Sequence, residues 1–498
     1  MKTPGPLRAI LIVGGSQVTN IFISIARIKL VAVLLGPTGI GLLGLFNNIK
    51  EVGGTAGGLG MTASGVRQVA QDAHNIEAQS KTRTLLLMSL TIQGGLSALV
   101  IWLFREQIAS RVFADEISPQ TLGVIAVAVW LGVVASAMTT IIQAMRRIAE
   151  LVRVTVYGAL VGTVLGLIPV LIWGQRGLPF LVLGLASGQL LAAIWFTRRI
   201  DLPRAAFKSS FRAQIVNWWG MVRLGLAFMF GALLTASTLL MVRAIVQERL
   251  GLEILGQFEA AWALTITYLG FVLNAMAADY FPRLSGAVHD AKASTAMVNE
   301  QLQLSLILGG PLILFTIGLA PLVLLVLYSS QFSDAAELLQ IMTLGNILKL
   351  GSWAIGFTVV AKGRGGLFIL LECVFNALFV VLVWWQLDNF GTQAIGGAFV
   401  IAYGVHLAAT WVAAIHLIGF KLEKASLYLL ASYLVAAIAL LFIARAAPKA
   451  GGVASCFVAA LGIVLGLRFL IKTRGDSSSI AIRIEQAFSR IGWDIKSR

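Results

Sequence analysis

Apolar runs of about twenty residues follow one another along the whole chain, and no other feature constrains the fold as strongly. A helix of that length crosses a hydrocarbon core about 30 Å thick. In lipid every backbone N–H and C=O must find a partner within the chain, which leaves helices or closed barrels. These runs are continuous and do not alternate with period two, which argues against a barrel. Of the 498 residues, 58% are hydrophobic and 12% charged, against about a quarter charged in ordinary soluble domains. The fold expected is an all-α polytopic membrane protein.

Length and breaks predict about fourteen spans. They fall near 9–35, 39–63, 82–104, 119–143, 150–174, 178–197 and 215–246, then near 252–278, 301–328, 335–361, 365–386, 392–418, 425–444 and 451–471. The first is too long for a signal-peptide core and has no A-x-A-like site after it, so it reads as a retained helix. The net charge of +16 does not point to nucleic acid, because Lys and Arg lie mostly in short loops between spans. With the N-terminus in the cytoplasm, inward loops out-count outward ones in Lys and Arg by roughly three to one. That bias supports an even number of spans with both termini cytoplasmic. Trp102, Trp173, Trp384 and Trp385 fall at outer ends and Trp195, Trp218 and Trp219 at inner ends, as interfacial belts require. Cys373 and Cys456 lie inside apolar runs and read as buried, inert thiols.

A repeat organises the spans. Gly39-Ile-Gly-Leu-Leu-Gly-Leu-Phe46 and Gly251-Leu-Glu-Ile-Leu-Gly-Gln-Phe258 share G-x-x-[LI]-L-G-x-F at the start of spans two and eight. Six spans apart, the copies keep one orientation and would be related by an axis along the membrane normal. This predicts two pseudo-symmetric six-helix lobes around a central cavity, residues 1–212 and 213–420. Two further helices occupy 421–471. The tail 472–498 would be an amphipathic, basic cytoplasmic segment suited to anionic lipid.

Charges inside spans point to function, because an ionised side chain at the bilayer centre costs roughly 2.5–3.5 kcal/mol on insertion scales. Asn47, Lys50 and Glu51 share one helical face, continued by Gly54 and Gly58, which would permit close backbone approach or bending. Gln17, Asn20, Ser24 and Arg27 form a polar stripe on span one, with Lys29 about 200° around the helix from Arg27. Geometry therefore favours Arg27 for a cavity. Lys349, with Asn346 and Trp353 on its face, sits mid-span. Glu259, Glu372 with Asn376, and His406 with Thr410 are either cavity groups or polar contacts between helices. Arg223 and Arg243 lie close enough to span ends to snorkel. Cations suit an anionic group such as a pyrophosphate, with Arg as a fork and Lys as a point charge. Acids could carry a coupling proton or sodium ion.

No Walker A sequence, G-x-S-x-G, HExxH or Cys/His cluster is present, so neither nucleotide hydrolysis nor a resident metal or other cofactor is expected. No outward loop is long enough for an extracytoplasmic catalytic domain.

Lys29-Leu-Val-Ala-Val-Leu-Leu-Gly-Pro-Thr-Gly-Ile-Gly-Leu42, the glycine-rich second span and Asp279-Tyr-Phe-Pro-Arg-Leu-Ser285 resemble the Wzx-type O-antigen and polysaccharide flippases of the multidrug/oligosaccharidyl-lipid/polysaccharide transporter superfamily. The resemblance implies alternating access and translocation of an undecaprenyl-pyrophosphate-linked oligosaccharide between leaflets of the bacterial inner membrane, for O-antigen, capsule or exopolysaccharide. It implies a cationic lumen and favours Lys29, which lies within the matched segment, over Arg27. Membrane lipids, a polysaccharide polymerase and chain-length proteins are the partners it suggests. A multidrug or small-molecule exporter of the same superfamily is the alternative. A glycan polymerase or ligase lacks the outward loop such chemistry needs, and a scaffold would leave the midplane charges without a purpose.

Overall fold

The computed structural model describes residues 6–72, 75–145, 147–199 and 211–474, and every long element among them is a helix. In chain order these are α1 (Pro6–Gly58), α2 (Met61–Gln71), α3 (Ile76–Leu103), α4 (Arg105–Phe113), α5 (Pro119–Ala144), α6 (Ile148–Trp173) and α7 (Leu178–Thr197). Then come α8 (Phe211–Ala287), α9 (Ala291–Leu327), α10 (Ala335–Ala361), α11 (Gly365–Phe390), α12 (Thr392–Ile418), α13 (Lys424–Ala446) and α14 (Pro448–Arg474). Residues 475–498, which hold most of the expected amphipathic tail, lie outside the described residues.

Eleven described stretches are long and apolar enough to cross a membrane. Three of them carry a break. The 40-residue stretch Thr19–Gly58 would span about 60 Å as one straight helix, twice the hydrocarbon thickness. It is interrupted at Gly36, whose φ of 62° suits glycine, and Pro37 follows. Gly251, with φ 84°, interrupts α8 in the same way. A 3₁₀ turn, Gly174–Gly177, separates α6 from α7. With each interrupted stretch taken as two crossings, the described residues hold fourteen, in line with the count of about fourteen expected.

The chain divides into two compact units, 1–259 with 327–332 and 260–326 with 333–498. In the first, α6 and α7 make a close pair. Gly158, Gly162 and Gly166 line one face of α6, and a methyl on Gly162 would lie 2.8 Å from the Leu185 Cα. Such small-residue faces let backbones touch where lipid supplies no hydrophobic drive between helices. In the second unit α9, α10 and α13 share a core that includes Leu306, Leu314, Leu350, Tyr433 and Leu440. Asn299 ties the α12–α13 connection to α9, donating to the Lys421 carbonyl at 2.9 Å and accepting from the Glu423 amide at 3.0 Å.

The Asp279–Ser285 segment has a structural role. Tyr280 is buried and its hydroxyl donates to the Ala354 carbonyl at 2.9 Å, joining α8 to α10. Burial raises the phenol pKa above its ordinary value, so the donor stays protonated.

Large apolar side chains are exposed along α3, α6, α9, α11 and α14, and Trp102, Trp173, Trp195, Trp219, Trp384 and Trp385 are among them. Lipid is the solvent for that surface. Cys456 also differs from expectation, being exposed, while Cys373 is half-buried; both are free thiols. In a membrane helix an apolar neighbourhood means lipid as often as core, so an apolar run does not imply burial.

Candidate functional site: a cationic cavity in the first unit

A cavity of about 820 Å³ opens inside the first unit, between α1, α2, α5, α6, α7 and the part of α8 before Gly251. Its charged lining residues are Arg27, Lys50 and Glu51, set among Asn20, Ser24, Thr55, Thr155 and Gln189. The polar stripe of span one and the charged face of span two therefore meet across one space. The side chain of Gln17, the fourth member of that stripe, lies outside the described residues.

Arg27 is held from two sides. Its Nη1 donates to Thr163 Oγ1 of α6 at 3.1 Å and its Nη2 to Ser24 Oγ, one turn earlier, at 3.4 Å. A guanidinium carries five N–H donors, so these two bonds fix its direction and leave others for a ligand. Thr163 has no motif around it, and its role shows only once α6 is placed beside α1.

The glycines of span two divide the work in a way the sequence did not suggest. A methyl on Gly53 would lie 2.7 Å from Ile101, and one on Gly57 would lie 2.9 Å from Ser97. Those two make the close approach expected of small residues. Gly54 and Gly58 instead line the cavity, and a methyl there would meet nothing within 4 Å. They give the cavity room, so close packing is not their role.

Other expected residues lie elsewhere. Lys29 and Asn47 are half-buried and do not line this cavity. Lys349 and Glu372 belong to the second unit. There Lys349 is buried on α10, with its ammonium 5.4 Å from the Tyr403 ring centre and 6.0 Å from that of Trp353, within cation–π range. His406 stacks edge-on against Phe375, and its Nδ1 has no hydrogen-bond partner.

Glu259 is buried and forms a bidentate ion pair with Arg243, with Nη2 to Oε2 at 3.0 Å. The expectation that Arg243 snorkels is therefore overturned: it is 6% exposed. Arg243 lies eight residues before the Gly251 break and Glu259 eight after it, and the break brings the two limbs level. Sequence distance to a span end cannot show that.

The fold, a set of membrane-length helices several of which are interrupted at glycine, is one already seen in solved transporters. The structure is similar to "Lipid II flippase MurJ, inward closed conformation" with a TM-score of 0.70 at 12% identity, covering 93% of this chain and all of that one. It is also similar to an inward-facing multidrug resistance MATE family transporter of the MOP superfamily, with a TM-score of 0.65 at 14% identity over 80% of this chain and 94% of the other. At these identities the likeness is one of fold. The "Lipid III flippase" of Escherichia coli (strain K12) is 24% identical over 395 residues, 76% of this chain and 91% of the relative, and that of Shigella flexneri matches equally. The sequence profile of the polysaccharide biosynthesis protein family matches residues 30–337. The chain belongs to that family, and it is a multi-pass membrane protein.

Proposed function

We propose that the protein is a flippase that carries an undecaprenyl-pyrophosphate-linked oligosaccharide from the cytoplasmic to the outer leaflet of the bacterial cytoplasmic membrane. The observation that carries this reading is the cavity, which sets Arg27 and Lys50 among hydroxyls and amides within membrane-spanning helices. Two cations against one acid suit a diphosphate, which accepts the Arg27 fork and the Lys50 point charge. The polar lining suits the hydroxyls of the first sugars. Names carried by the flippase relatives point the same way.

In this reading both termini are cytoplasmic and the two six-helix halves, 1–212 and 213–420, alternate access. Lys29 and Lys349 assist the anion at other stages of the path, and Glu51 or Glu372 carries a coupling proton or sodium ion. Glu259 is assigned away from coupling, because its carboxylate is committed to Arg243. A polymerase and chain-length proteins would receive the product for O-antigen, capsule or exopolysaccharide. An exporter of organic cations would need an excess of acids in the cavity, and the balance here is the reverse.

The test replaces Arg27 and Lys50 singly with Ala and follows surface glycan together with lipid-linked oligosaccharide on the cytoplasmic side. Loss of export with accumulation of the lipid-linked precursor is expected. Full export at normal protein levels would overturn the assignment.

A further inference from the structure

The repeated motif G-x-x-[LI]-L-G-x-F has no part in the cavity, yet its two copies meet each other within the first unit. The first copy begins three residues after the break at Gly36, and the second begins at the break itself, Gly251. A methyl on Gly41 would lie 2.6 Å from the Leu252 carbonyl and 3.0 Å from the Gly256 amide. One on Gly256 would run into the Pro37 carbonyl, and one on Gly44 into the Glu259 carboxylate. Glycine is therefore required on both sides of the crossing, where backbone lies on backbone.

Polar contacts surround the crossing. Arg243 holds Glu259 directly against Gly44. Gln257 Nε2 donates to the Gln331 carbonyl at 2.8 Å, and Gln247 Nε2 to the Phe113 carbonyl at 2.9 Å. Phe46, at the end of the first copy, meets the Phe113 ring at 5.2 Å. The cavity stops short of this zone: its lining on α1 ends at Arg27 and resumes at Lys50, and on α8 it comprises Met229 and Ala232. The breaks at Gly36 and Gly251 thus lie beyond the end of the cavity, on the side that loop charges assign to the outside.

We propose that the two motif copies form a latch, locked by the Arg243–Glu259 ion pair, that closes the outer end and must part once in each transport cycle. A glycine crossing makes a tight seal without entangled side chains, so it can separate as a unit. A single bidentate ion pair at its edge sets how readily it does so, because parting exposes both charges to water and lowers the cost of separating them. The function assigned to the latch rests on the transport reading, but its closure is tested without any substrate.

The experiment uses the full chain in a Cys373→Ser/Cys456→Ser background with Thr55→Cys as a reporter inside the cavity. Right-side-out membrane vesicles are treated with a membrane-impermeant thiol reagent, and the labelling rate at residue 55 is measured. With the latch intact, labelling is slow. Arg243→Gln and Glu259→Gln are expected to raise the rate at least fivefold, and the swap Arg243→Glu/Glu259→Arg to bring it back down. Gln257→Ala, a milder change, should raise it about twofold and decides the matter if the ion-pair variants are not produced. Unchanged rates in variants made at parental levels would overturn the latch. Loss of glycan export in Arg27 or Lys50 variants has no bearing on that result, so the two proposals fail separately.

Discussion

At the scale of single residues, the two kinds of intramembrane charge behave differently under substitution. Arg243 and Glu259 pair in a buried setting, so Arg243→Ala leaves a buried carboxylate alone and is expected to destabilise the protein by about 3–5 kcal/mol. Thermal unfolding in detergent measures this as a clear loss of melting temperature. Arg27 faces a cavity, where solvent or ligand can meet its charge, so Arg27→Ala should change stability little. It should instead weaken a diphosphate ligand by about 1.5–3 kcal/mol, tenfold or more in affinity, read by calorimetry with a pyrophosphate-bearing lipid. Thr163→Val removes one support of the guanidinium and should give a weaker version of the same phenotype. The sequence marked Arg27, Lys50 and Glu259 as charges within spans, left Arg243 close enough to a span end to snorkel, and could not say which charges formed a structural pair. Arg243 and Glu259 are sixteen residues apart, on neither the same turn nor the same face, and their pairing depends on the break at Gly251. Lys50 and Arg27 were legible because each sits on a polar face of its own helix.

Among the helices, α1 shows how one glycine-rich run serves two surfaces. Gly53→Leu would collide with Ile101 and Val129, and Gly162→Leu with the α7 backbone. Overpacking of this kind costs about 1–3 kcal/mol, and both variants should unfold at lower temperature. Gly54→Leu meets open space. It should leave the melting temperature unchanged and stop glycan export by filling the cavity. A matched pair of unfolding curves and export assays on Gly53→Leu and Gly54→Leu checks the distinction directly. Helical periodicity alone predicts that residues 53 and 54 point about 100° apart. It does not say which direction holds a neighbour and which a void, because that depends on where α3 and α5 stand beside α1.

For the whole molecule, the fourteen-span reading makes a topological prediction. Fluorescent-protein fusions after Arg474 should fluoresce in the cytoplasm, and alkaline-phosphatase fusions at the same point should be inactive, whereas fusions near Gly391 should show the reverse. The sequence by itself determined the fold class and the span count, because burying an unpaired peptide group in lipid is so costly that each run must close its own hydrogen bonds as a helix. It also determined where the helices break, since Gly36-Pro37 and Gly251 disfavour a continuous helix locally. Tertiary structure decided the rest. Whether a glycine packs or opens a cavity, whether a charge is paired or free to meet a ligand, and what the repeated motif touches are all set by which helix stands alongside. In lipid the apolar faces of helices are nearly interchangeable, so no pattern within one span names its neighbour. Close-approaching backbones and a few buried polar bonds make that choice, and they join residues as far apart as Gly41 and Gly256 or Arg27 and Thr163.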